Sequence, residues 1–265
     1  MYRDMQPLEA LLIFSLGHLL TDFVFQTTAL VERKKKGHVG AYVQHGLTHY
    51  FAVAGVAALA DPAHFSHVGF HATIGALTIV HLMIDWAKLR LTSSGRISDG
   101  VLTFLLDQFL HFVSIAAAVF FCTGMRVTDI LNLLRLLQPH RDSILTVVVV
   151  YVATVFGAGY VVRYLTKPLL KNLPEGGGQT REELRNAGLY IGWLERILVL
   201  TAVLLRSPST IGLVLTAKSI IRFPELKSGR FAEYFLIGTL LSLLFAIGAG
   251  VILQASLNQI VGFTQ

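Results

Sequence analysis

The chain has 265 residues, of which 54% are hydrophobic and only 14% charged, whereas soluble domains carry about 25% charged residues. With a mean hydropathy of +0.62, this composition excludes an ordinary soluble enzyme and points to an all-α, polytopic membrane protein; the alternating segments of a β-barrel are missing. The net charge of +6 is scattered at the ends of apolar runs, which argues against a nucleic-acid partner.

Spans need about 20 mostly apolar residues. On that basis the sequence predicts seven or eight, at residues 8–30, 40–60, 70–90, 101–122, 143–165, 188–206, 209–223 and 231–254. The segment 209–223 is short enough to be re-entrant. No small-residue cleavage site follows the first run, so it reads as a retained helix and not as a signal peptide. Residues 1–122 form one predicted unit of four helices. Residues 123–173 hold an amphipathic segment, Thr128–Gln138, and the fifth span; Ile130, Leu131, Leu134 and Leu137 give that segment one apolar face. Residues 174–187, starting PEGGGQTREELR, read as a polar linker, and residues 188–265 as the C-terminal helices. Basic residues follow spans one, three, five and seven, including Arg33, Lys34, Lys35, Lys36, Lys88 and Lys167. The positive-inside rule then places both termini outside the cytoplasm.

Inside the first four spans sit four polar pairs: His18 and Asp22, His45 and His49, His81 and Asp85, Asp107 and His111. Members four residues apart share one helix face. Ionisable groups in lipid are costly and usually functional. The pairs also repeat. His18 to His45 spans 27 residues and His81 to Asp107 spans 26, and an aromatic residue (Phe23, Tyr50, Trp86, Phe112) follows the second member of each pair. The two hairpins read as tandem parallel copies, offset by about 63 residues, with a pseudo-twofold axis along the membrane normal. Counted from the cytoplasmic ends, Asp22, His49, His81 and Asp107 lie roughly 12–15 Å deep. Four helices thus aim ligands at one centre in the inner half of the bilayer.

Imidazole and carboxylate are ligands for zinc, with manganese or iron as alternatives. Cys122 is the only cysteine, which excludes an internal disulfide and a cysteine-based zinc site. Five histidines and three aspartates suffice for two ions, an arrangement suited to hydrolysis at phosphorus or carbon. The leading expectation is a metal-dependent hydrolase of a lipid-like or phosphate-bearing substrate. All eight residues are candidate metal ligands, and Asp22, His49, His81 and Asp107 are the candidate catalytic groups. Gln26, Lys88 and Gln108 are candidate substrate contacts, with Arg196, Lys218 and Arg222 as a second, phosphate-like set. Glu195, inside the sixth span, is expected to pair with Lys218 or Arg222. The alternative is a transporter or channel for a metal ion or protons using the same ladder. Membrane lipid is the expected partner, and oligomeric state is left open.

The motifs H-x-x-x-D-F-x-x-Q, H-G-x-x-H, H-x-x-I-D-x-x-K and D-Q-x-x-H resemble those of a bacterial family of multi-pass membrane proteins catalogued only as a domain of unknown function. The tail GWLERILVL, AKSIIRF, RFAEYFLIGTLLS is similar to the C-terminal part of its longer members. The resemblance implies a bacterial inner-membrane location and no established activity. More loosely, the ladder is similar to that of membrane-bound metal-dependent hydrolases, although HGLTH at His45–His49 departs from their HRG-x-THS pattern.

Overall fold

The computed structural model describes residues 5–124, 142–170, 181–221, 223 and 229–261, and every regular element among them is helical. The chain divides into two compact units, residues 1–149 and 150–265.

In the first unit, α1 (Pro7–Leu19) runs into a π-helical segment, Leu20–Phe25. The sequence reading carried this span to residue 30. The helix instead stops at Gln26, which is extended with ψ 104°. Thr27 then caps a separate short helix, α2 (Thr28–Lys35), its hydroxyl accepting from the Leu30 N–H at 3.3 Å. Threonine suits that position because its oxygen satisfies an otherwise orphaned amide. The chain turns at Gly37, whose φ of +78° is open to glycine without strain. The helices α3 (Val39–Ala60), α4 (Pro62–Phe65), α5 (Val68–Ser93) and α6 (Val101–Thr123) follow.

The helices α1, α3, α5 and α6 close into a ring: α1 packs on α3 and α6, and α5 packs on the same two. Around the four pairs the ring's interior is polar, and its outer face is apolar. His45 is fully buried, while Phe51 and Phe109 are 65% and 60% exposed. Such an inversion is stable where the surrounding solvent is lipid. Of the aromatics that follow each pair, Phe23 is buried but Trp86 and Phe112 are exposed. One residue on from an inward position lies roughly 100° round the helix, so these rings do not share one environment.

The second unit takes in the end of α7 (Asp142–Val152), a second π-helical segment (Ala153–Gly157), α8 (Ala158–Leu170), α9 (Arg181–Leu204), α10 (Pro208–Ile221) and α11 (Gly229–Val261). Here α9 packs on α10 and α11, and α11 packs on α8. Residues 181–187, read from sequence as linker, are the first turns of α9. Arg and Glu are good helix formers, so their content is as compatible with a helix start as with a loop. The rest of that linker and the Thr128–Gln138 segment lie outside the described residues.

Among the described residues, five helical stretches are long and apolar enough to cross a membrane: Pro7–Phe25, Val68–Ser93, Val101–Thr123, Ser143–Leu169 and Phe231–Leu257. The sequence reading gave seven or eight. The three not among the five are α3, which is 22 residues long but carries Gln44, His45 and His49, α9, which carries Glu195 and Arg196 in its apolar part, and α10, which has only 14 residues.

Small residues let membrane helices approach closely, and Gly17 is the tightest such point. A Cβ there would overlap Val53 of α3, meeting its Cα at 2.8 Å and its N at 2.9 Å. Backbone cannot step aside cheaply. Gly17→Ala is therefore expected to destabilise the detergent-purified protein by roughly 1–3 kcal/mol, the usual cost of overpacking. Gly55→Ala, which meets nothing within 4 Å, is the control, and thermal unfolding of the two variants side by side is the measurement.

Candidate metal centre

The four pairs meet inside the ring. His18 closes α1 and Asp22 sits in the π-helical segment after it, a kind of distortion that recurs at functional sites. α3 brings His45 and His49, α5 brings His81 and Asp85, and α6 brings Asp107 and His111. All eight are buried, none more than 6% exposed.

The contacts are as short as hydrogen bonds, and their separations also suit the ligands of one ion. The Nε2 atoms of His45 and His81 lie 2.9 Å apart. Asp22 Oδ1 is 3.3 Å from each of them, and Asp85 Oδ2 is 3.2 Å from His45 Nε2. A tetrahedral ion with bonds of about 2.0–2.1 Å holds its ligand atoms about 3.3 Å apart, so these separations are close to the edges of such a site. Three overlapping groups have ligand atoms all within 4.8 Å of one another: His18, Asp22, His81 and His111; Asp22, His45, His81 and Asp85; and Asp85, Asp107 and His111.

Surrounding groups fix which nitrogens are bare. His18 Nε2 lies 3.3 Å from Gln108 Oε1 and therefore donates to it, leaving Nδ1 without a proton. His111 Nδ1 donates to the Asp107 carbonyl oxygen at 2.8 Å, leaving Nε2 bare. Both bare nitrogens are buried and have no hydrogen-bond partner among the described residues; Nδ1 of His45 and of His81 are in the same position. Buried polar atoms are seldom left so. Partners that set tautomer and orientation are a regular feature of metal-binding histidines.

His49 belongs to none of the three groups. Its ring stacks on His81 with centroids 4.4 Å apart, and its Nδ1 is 2.9 Å from Thr78 Oγ1. Of the expected substrate contacts, Gln108 bridges His18 and Asp107, donating to Asp107 Oδ2 at 3.1 Å. Lys88 donates to the same oxygen at 2.7 Å. Gln26 turns to its own helix, donating to the Asp22 carbonyl at 3.3 Å.

Sequence reasoning missed Lys34. Its ammonium reaches Asp85 Oδ2 at 2.5 Å and the residue is 2% exposed. Within the run Arg33, Lys34, Lys35, Lys36 nothing in the composition singles it out. Only the separate helix α2 turns this one residue inward.

In the second unit the C-terminal cations have internal partners. Arg196 is buried and donates twice to the Val155 carbonyl, at 2.9 and 2.6 Å, and once to Ser242 Oγ at 3.3 Å. Val155 lies in the second π-helical segment, where a side chain can insert into the backbone ladder. Lys218 pairs with Glu195 at 2.7 Å, as one of the two expected pairings had it. The expected phosphate site of Arg196, Lys218 and Arg222 is thus not assembled by the first two, and Arg222 lies outside the described residues.

Residues 10–137 match the model of a family described as "Protein of unknown function (DUF3307)", so all eight ladder residues lie inside a domain of unknown function. No curated protein and no solved structure matches the chain.

If Arg196 is a structural tie, Arg196→Met strands a buried carbonyl and lowers stability by about 1–3 kcal/mol. Arg196→Lys, which lacks the planar fork, rescues it only in part. Chemical unfolding in detergent reads both; unchanged stability in both variants contradicts the assignment.

Proposed function

We propose that this protein is an intramembrane metal-dependent hydrolase whose His/Asp centre holds a divalent ion, zinc first. The observation that carries the reading is the convergence of His18, Asp22, His81 and His111, whose ligand atoms all lie within 4.8 Å of one another. Without a cation, Nδ1 of His18 and Nε2 of His111 stay bare and buried with no hydrogen-bond partner among the described residues. Such an ion supplies Lewis acidity and activates water at neutral pH. The chain's own residues do the rest. Gln108 and the Asp107 carbonyl hold His18 and His111 in their ligating tautomers. His49, stacked on His81 and tied to Thr78, is placed to carry a proton beside the ligands.

Two features support a lipid-like substrate met at the cytoplasmic leaflet. A groove of about 740 Å³ runs beside the π-helical segment and is lined by Leu20, Phe25, Val43, Leu47 and Phe51. In the opposite direction the ring is closed by apolar packing: Ile13, Phe14, Val53, Phe70 and Ile74 are fully buried, and the rings of Phe14 and Phe70 stack at 5.9 Å. Glu9, Asp61 and Thr73 are the buried polar side chains toward that end, too few to line a through-path for ions, so hydrolysis is favoured over transport.

In the same proposal, α3, α9 and α10 also cross or enter the bilayer, giving seven or eight spans. The α1–α3 and α5–α6 hairpins are parallel copies, and the basic ends of α2 and α5 face the cytoplasm. Both termini then lie outside, in a bacterial inner membrane.

Metal analysis of the purified protein is the first check. The expected outcome is near-stoichiometric zinc that falls below about 0.3 per chain in His81→Ala, since a tetrahedral site does not tolerate loss of a ligand. Hydrolysis of a chromogenic phosphoester in mixed micelles should fall with chelation and in Asp22→Asn. Less than about 0.3 ion per wild-type chain, unchanged in the variant, would sink the proposal.

A further inference from the structure

The three ligand groups are not equivalent, because lysines already occupy two of them. Asp85, shared by the second and third groups, has Lys34 Nζ on its Oδ2 at 2.5 Å. Asp107, in the third group, has Lys88 Nζ on its Oδ2 at 2.7 Å, with the same ammonium 5.7 Å from the centre of the Phe104 ring. The first group, His18, Asp22, His81 and His111, has no ammonium on its carboxylate among the described residues. Both of its outer histidines offer bare, buried nitrogens.

Lys34 is held in place and does not swing in from solvent. Its side chain is 2% exposed. Its carbonyl accepts from Gly37 N at 2.9 Å and from the Tyr42 hydroxyl at 3.3 Å. Thr27 fixes the start of the short helix that carries it. Charge balance points the same way. The cluster has three carboxylates, Asp22, Asp85 and Asp107, and two ammonium groups already lie on two of them. A divalent ion in the second group would share the Asp85 carboxylate with Lys34 and be strongly repelled at that range in a dry interior.

Resting on the metal-centre reading above, we infer that the site holds a single divalent ion, its protein ligands drawn from His18, Asp22, His81 and His111 with one position left for water, and that Lys34 is a tethered cation standing where a second ion would bind. Eight potential ligands therefore give one ion, not the two that their number suggests. Lys34 is a positioning residue: it neutralises Asp85 and keeps that carboxylate from ligating.

The test counts zinc bound to metal-free protein in detergent by equilibrium dialysis. Wild type should bind about one ion, and Lys34→Met about two, the freed Asp85 joining Asp22 and His45 as the ligands of a second site. Lys34→Arg keeps the cation and should stay at about one, as should the exposed neighbour Arg33→Met. The unfolding temperature of Lys34→Met should fall without metal and be restored by zinc. Wild type binding about two, or Lys34→Met staying at one, overturns this inference and leaves the metal centre standing. No binding by either protein removes the metal centre, and this inference falls with it. If Lys34→Met does not fold, lysine acylation of wild type read by mass spectrometry decides. Lys34 should stay protected relative to exposed Lys35 both with and without saturating zinc; labelling of Lys34 on zinc addition contradicts the tethered-cation role.

Discussion

Everything in the first unit follows from one constraint: five imidazoles and three carboxylates must share a space from which solvent is excluded. In lipid a charged or hydrogen-bonding group without a partner is expensive. The chain therefore brings every donor toward every other. The ring of α1, α3, α5 and α6, the glycine that lets α1 touch α3, and the inward turn of α2 all serve that convergence. Ordinary pairing does not complete it, because six side-chain atoms of the cluster stay buried without a hydrogen-bond partner. In the proposed reading, a cation bound among them resolves that shortfall.

The second unit meets a similar problem in a different way. One guanidinium, that of Arg196, is satisfied by a backbone carbonyl in a π-helical segment and by one hydroxyl. One carboxylate, that of Glu195, is matched by one lysine. Among the described residues there, only Glu195 Oε1 and Thr239 Oγ1 stay buried without a hydrogen-bond partner, and no cluster of them forms. The contrast separates polar groups that tie helices together from polar groups arranged around something else. Both units rely on a widened turn of helix at the critical place, at Leu20–Phe25 for Asp22 and at Ala153–Gly157 for Val155.

Much of this was legible in the chain itself. The spacing of His18 with Asp22, and of its three counterparts, placed eight side chains on inward faces, and all eight are buried. The helical class followed from composition, and the position of Glu195 inside its span called for a cation, Lys218 or Arg222, of which the fold uses Lys218. What could not be read depends on tertiary phase. The stop after Phe25 hinges on Thr27 acting as a cap within an apolar run. Which of four consecutive basic residues turns inward depends on the orientation of α2, which no periodicity encodes. His49 sits at the same spacing as its neighbours but lies outside the ligand groups, because Thr78 draws its Nδ1 away. Arg196 looked like a ligand for phosphate because the sequence does not show which carbonyl it would find.

The central claim is that these side chains surround an ion. X-ray absorption at the zinc edge of the purified protein tests it most directly, since it reports the ligand atoms themselves. The account predicts a four-coordinate shell of nitrogen and oxygen at about 2.0–2.1 Å, with the outer-shell scattering of more than one imidazole. A six-coordinate shell of oxygen alone, or no bound metal to measure, would contradict it.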